Sequence, residues 1–114
     1  STRIQQARLN VKKQESEYLT QLQDLSVQLH GILDRLNNYQ EVIPINETVL
    51  SSAEEDLKLV QQRYSLGSAT ILEVLDAQVS VVSARSSLIR SNHDSLIEQA
   101  NLKALLGTLD SDLE

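Results

Sequence analysis

From Tyr18 to Tyr64 the seam residues return in steps that alternate four and three throughout. The series is Tyr18, Leu22, Leu25, Leu29, Ile32, Leu36, Tyr39, Ile43, Asn46, Leu50, Ala53, Leu57, Val60 and Tyr64. A strand would need a period of two. A seven-residue period keeps one stripe of a helix facing a partner along its whole length. Upstream, Ile4, Ala7 and Val11 continue the pattern with Gln14 in the seam, and the extra step at Tyr18 to Leu22 is a stutter that relaxes the supercoil. This chain is therefore expected to be long paired helices.

Composition supports thin helix–helix contacts over a thick core. Aromatics make up 3% of the 114 residues, all of them tyrosine, and Phe, Trp and Met are absent. Bulky aromatics normally supply much of a globular core, so Leu, Ile, Val and Ala must do the packing. Cysteine is absent too, which removes disulfides, thiol nucleophiles and zinc–thiolate sites. The net charge of −6 argues against nucleic acid as a partner. Arg3, Arg8, Lys12 and Lys13 come nearest to a basic cluster, but Glu15 and Glu17 follow at once, as on a solvated helix face. No apolar run approaches the ~18 residues of a membrane-spanning helix.

Punctuation is sparse. Asn37-Asn38 and the stretch Ser65 to Thr70 are the best loop candidates, and the second is the stronger. Gly67 can take a left-handed cap, Ser68 or Thr70 can cap the next helix, and Glu73 three residues beyond Thr70 completes a capping-box pattern. Beyond this turn an apolar stripe resumes as Leu72, Leu75, Val79, Val82, Ser86, Ile89, His93, Leu96 and Ala100, fading near Gly107 into a polar Asp110-Ser111-Asp112 tail. Folded at Gly67, the two stripes keep register. Facing residue numbers hold a constant sum, to within one, from Val60 with Leu75 down to Leu36 with Ala100. The expected fold is all-α: a long antiparallel coiled-coil hairpin, its first helix about residues 2–65, its second about 69–106, its tip at 64–70.

Pro44 is the main objection, because proline inside a helix costs ~3 kcal/mol. Ile43 and Leu50 stay in phase across it, so a kinked but continuous helix is predicted. Asn46 and His93 are polar seam positions able to serve the carbonyl that Pro44 frees on Gln40. His93 reads as a register-setting residue and not as a metal ligand, and His30 has no partner within helical reach. No metal or cofactor is expected. If the second helix stops at Gly107, residues 1–28 of the first project roughly 40 Å past it at 1.5 Å per residue. Their apolar seam calls for another helix, and self-association through residues 1–28 is expected of the isolated chain.

The stretch Arg63-Tyr64-Ser65-Leu66-Gly67-Ser68-Ala69-Thr70-Ile71-Leu72-Glu73-Val74-Leu75-Asp76-Ala77-Gln78 resembles the tip of the TolC-like outer membrane efflux protein family, with its R-Y-x-x-G segment and following L-D-A-Q. Asn101 to Gly107 resembles the family's L-x-x-A-L-G ending, and Ala84 and Leu88 sit where an intervening A-x-x-x-L lies. The similarity is dense from about Glu47 to Gly107. Before Glu41 it rests on helix style alone.

The resemblance implies a homotrimer with an outer-membrane β-barrel continued by a periplasmic α-helical tunnel. Residues 1–114 would be one periplasmic hairpin fragment from the C-terminal repeat, with the overhang packed beside a shorter helix. It further implies that Tyr64, Leu66, Gly67, Ser68 and Thr70 dock the hairpin tips of a periplasmic adaptor protein, which links the duct to an inner-membrane pump. Tyr64, Glu73 and Asp76 match gate positions of the tunnel. Where such gates carry an arginine just after the tip glycine, this chain has Ala69, which counts against a closely similar ionic lock; Arg63 is the nearest arginine. The plain reading of the same residues is that Tyr64 ends the seam and Glu73 caps a helix.

The competing reading is a periplasmic adaptor hairpin or another non-catalytic coiled-coil scaffold, although adaptor tips space their Arg, Leu and Ser more widely. No enzyme is expected. Glu54, Glu55 and Asp56 form a solvated run, and Glu73 with Asp76 offers two cation ligands where more are needed.

Overall fold

The computed structural model describes residues 1–113, so Glu114, the last residue of the expected hairpin fragment, lies outside them. Two helices account for nearly all of it: α1, Thr2–Ser65, and α2, Ile71–Leu113. Among the described residues there is no strand. Both helices carry helix-compatible end charges. Arg63 stands in the last turn of α1 and Glu73 in the first turn of α2, each opposite in sign to the helix-dipole end it meets.

The chain divides into two units, Arg35–Ala100 and Ser1–Asp34 with Asn101–Glu114. Within Arg35–Ala100 the helices are antiparallel. Contacts pair Arg35 with Glu98, Asn46 with Ser91 and Glu54 with Arg85, so numbers rise along one helix as they fall along the other. The α1 side of this contact follows its heptads: Leu36, Tyr39, Ile43, Asn46, Leu50, Ala53, Leu57 and Val60 are all half-buried.

The α2 side differs from expectation. Leu72, Leu75, Val79, Val82, Ser86, Ile89, His93, Leu96 and Ala100 are all exposed. The enclosed series lies two residues on: Val74, Val81, Ala84, Ser91 and Ser95 are buried, and Ala77, Leu88 and Glu98 are half-buried. Both series repeat every seven residues, and a two-residue offset places them on nearly opposite faces of one helix. The larger side chains point away from α1 because the small ones let the helices approach and hold polar groups that bond across the seam. His93 is accordingly not a seam residue. It stands in solvent with its Nδ1 3.8 Å from Asp94.

Pro44 lies inside α1, and the helix runs on through it. The ring sits on the exposed face, and Thr48 Oγ1 donates to the Pro44 carbonyl at 3.1 Å. Asn46 turns across the seam instead of back toward Gln40. Asn37-Asn38 also lies within α1 and makes no loop.

In the other unit, Ile32 and Leu105 are buried, with Leu25, Leu29, Leu102 and Leu109 half-buried around them. Here α2 passes through Gly107 where it was expected to end. A helical glycine costs about 1 kcal/mol relative to alanine, and the burial of Leu109 one turn beyond Leu105 offsets that. Thr108 Oγ1 donates to the Ala104 carbonyl at 3.0 Å. The uncovered part of α1 is correspondingly shorter than 1–28: every residue from Ser1 to Asp24 is exposed, and cover begins at Leu25.

Candidate functional site: the hairpin tip

The reversal at residues 66–70 is specified by main-chain chemistry at both ends. At the end of α1, Gly67 takes φ +78°, a left-handed conformation that costs a side-chain-bearing residue roughly 1–2 kcal/mol. With Gly67 so placed, its N–H reaches the Tyr64 carbonyl at 3.0 Å and the Ser68 N–H reaches the Arg63 carbonyl at 2.7 Å. This pair of bonds is the Schellman motif, and it satisfies carbonyls that the helix end would leave open. The Arg63 guanidinium folds over the same turn, Nη2 donating to the Ser68 carbonyl at 2.9 Å.

At the start of α2, Thr70 and Glu73 bond reciprocally. The Glu73 N–H donates to Thr70 Oγ1 at 3.2 Å, and the Thr70 N–H donates to Glu73 Oε2 at 2.7 Å. That is the capping box foreseen from their spacing, with Thr70 and not Ser68 as the cap. Two closed motifs in so few residues fix the bend without help from a core.

What remains around this frame faces outward. Leu66 is 80% exposed, Leu72 64%, Ile71 54% and Tyr64 48%. A Cβ added at Gly67 would meet no atom within 4 Å, so its backbone stands in open space. The tip thus presents apolar side chains around a bare main-chain segment, a surface of the kind another protein can pack against. Among the described residues no group of three or more His, Asp or Glu is placed to hold a metal.

The residues singled out from sequence separate into two sets. Tyr64, Leu66, Gly67, Ser68 and Thr70 are brought together by the turn. Of the gate candidates, Glu73 is engaged with Thr70, Tyr64 is half in solvent, and Asp76 lies beyond the cap on an open groove that Asp56, Ser52 and Ser80 also line. Two features escaped the sequence reading. The exposed Ile71 and Leu72 enlarge the apolar tip, and Arg63 braces the turn, a role signalled by a basic residue in the last helical turn.

Residues 1–108 match the family described as outer membrane efflux protein. Among the relatives, outer membrane protein TolC of Escherichia coli is 30% identical over 82 residues, covering 72% of this chain and 15% of that protein. The probable efflux pump outer membrane protein TtgC of Pseudomonas putida is 28% identical over 99 residues, covering 87% of this chain and 20% of its own length. TolC of Vibrio cholerae is 25% identical over 105 residues, covering 86% of this chain and 24% of its own. The chain spans less than a quarter of the length of these curated relatives. No solved structure matches.

Proposed function

The chain belongs to the outer membrane efflux protein family, and from that premise we propose that it is one hairpin in the periplasmic α-helical wall of a trimeric efflux duct. The observation that carries this reading is the second stripe of α2. Leu72, Leu75, Val79, Val82, Ile89 and Leu96 are between 49% and 68% exposed on the face turned away from α1. An apolar stripe of this length, interrupted only at Ser86 and His93, is a packing surface. A helix with such surfaces on nearly opposite sides fits a wall in which each helix has a neighbour on either hand. The uncovered α1 segment, with Ile4, Val11, Tyr18 and Leu22 exposed, asks for a neighbour in the same way. Family membership also favours the duct over a periplasmic adaptor hairpin.

In this reading the tip docks a periplasmic adaptor through Tyr64, Leu66, Gly67, Ser68 and Thr70. The apolar ring supplies contact area, and the bare Gly67 backbone allows close approach. The adaptor in turn couples the duct to an inner-membrane pump. Gating would use Tyr64, Glu73 and Asp76. Glu73 already serves Thr70, so its share in a lock requires the cap to open, whereas Asp76 is free to reach a neighbouring helix. The protein works by shape and assembly without catalysis.

The test places a charge on the second stripe of the full-length protein. Ile89→Asp should abolish trimer formation and drug export, while Asn92→Asp at an exposed neighbouring position should leave both intact. A functional trimer carrying Ile89→Asp would overturn the wall assignment. Docking is tested separately by Gly67→Trp, which should remove adaptor cross-linking while the trimer persists. For the isolated chain, light scattering on size-exclusion fractions should show self-association through the exposed stripes.

A further inference from the structure

The face that α2 turns to α1 is the less hydrophobic of its two, and apolar burial alone would choose the other. The two stripes differ by two positions throughout, roughly 200° around the helix. Turning α2 about its own axis would therefore exchange them and keep the axial register. Leu75, Val82, Ile89 and Leu96 would then stand opposite Val60, Ala53, Asn46 and Tyr39. Val82, Ile89 and Leu96, each 61–62% exposed in the structure, would be covered together with Ser86 and His93, and the Val, Ala and Ser of the seam centre would be released with the half-buried Leu88 and Glu98.

What the turned packing loses is at Asn46. In the structure its amide donates to Ser91 Oγ at 3.1 Å and lies 3.5 Å from the Ser87 carbonyl. Ser91, 7% exposed, donates its own hydroxyl hydrogen bond to the Leu88 carbonyl at 3.0 Å, so the run of bonds is closed. In the turned packing Asn46 would face Ile89. Asn46, half-buried in the structure, would exchange both contacts for an apolar neighbour, which costs an amide more than a made bond gains, and a single polar seam residue is known to fix pairing in coiled coils at the expense of stability. Arg35 adds less. Its Nε donates to Glu98 Oε1 at 2.9 Å, but Glu98 Oε2 is enclosed without a partner among the described residues.

We propose that Asn46, through Ser91 and Ser87, selects which face of α2 packs on α1, and thereby reserves the more apolar face for a different helix. The selection is a property of the hairpin and stands apart from the efflux reading, so the failure of either leaves the other intact.

Cysteine cross-linking tests it, since the described residues contain no cysteine. Ala53→Cys with Ala84→Cys reports the observed face, because these small seam positions, half-buried and buried, lie one heptad on from Asn46 and Ser91, which touch across the seam. Ala53→Cys with Val82→Cys reports the turned one. Each pair is placed in the chain with Asn46 retained and with Asn46→Leu, and the intramolecular disulfide is scored by gel mobility and mass. With Asn46 retained the first pair should dominate. Asn46→Leu should raise the yield of the second about tenfold, with helicity by circular dichroism unchanged. Ser91→Ala, a smaller change that removes only the acceptor, should raise it about threefold. If Asn46→Leu loses its helices, Ser91→Ala decides alone. Helical variants that keep the parent's cross-link pattern would overturn the proposal.

Discussion

The two faces of α2 differ in a way that hydrophobicity ranks backwards. Toward α1 it offers Val74, Val81 and Ala84 with Ser91 and Ser95, all buried, and away from α1 it offers Leu72, Leu75, Val82 and Ile89, all exposed. Small side chains permit close approach and hydrogen bonding within a hairpin. Large ones are left on the open face. In the proposed tunnel wall, the chain would therefore show its strongest apolar surface when seen alone, and the face that holds the hairpin together looks weak by comparison.

Adjacent residues give the sharpest way to break this contrast. Val81 is 5% exposed and Val82 61%. Val81→Asp should destabilise the hairpin by about 3 kcal/mol, the cost of enclosing a charge without a partner, while Val82→Asp should stay within about 0.5 kcal/mol as surface changes do. Urea unfolding of the two variants measures the difference, and equal losses would mean that the faces are not distinct. A gentler version enlarges one side chain on each face. Ala84→Leu, overfilling a seam position, should cost about 1–3 kcal/mol, and Val79→Leu on the open stripe should be close to neutral.

The same contrast between constrained and open positions extends to the glycines. Gly67 and Gly107 both have free space where a Cβ would go, yet only Gly67 has a left-handed backbone. Gly67→Ala should lower stability by roughly 1–2 kcal/mol, and Gly107→Ala should raise it by about 1 kcal/mol. Opposite signs in thermal melts are the expected result. At the cap, Thr70→Ala should cost about 1 kcal/mol and fray the first turn of α2, visible as faster amide exchange at Leu72 and Glu73.

Much of this architecture was legible because local chemistry and long-range packing agree in α1. From Leu25 to Val60 the heptad positions are those that the structure covers. The turn was legible for the same reason, as Gly67 suits a left-handed cap and Glu73 stands at capping-box spacing from Thr70, although the choice of Thr70 over Ser68 came from the structure. The face of α2 was not. Two heptad stripes share that helix, and sequence ranks them by apolar content, whereas the hairpin chooses by close approach and by the needs of Asn46. Gly107 misled as well, because its low propensity is outweighed by the burial of Leu105 and Leu109 on either side. At the tip, the membership of Tyr64 through Thr70 in one turn was readable. The bracing by Arg63 depends on where a long flexible side chain comes to rest, which spacing does not reveal.

The closed bonds at the bend leave the side chains of Leu66 and Ser68 outside the set that shapes it, since Arg63, Tyr64, Gly67, Thr70 and Glu73 complete the reversal between them. Those two positions can be rewritten without unmaking the loop. In the proposed docking role the tip is a fixed frame carrying two exchangeable side chains, and a lineage could change its partner by altering those few letters.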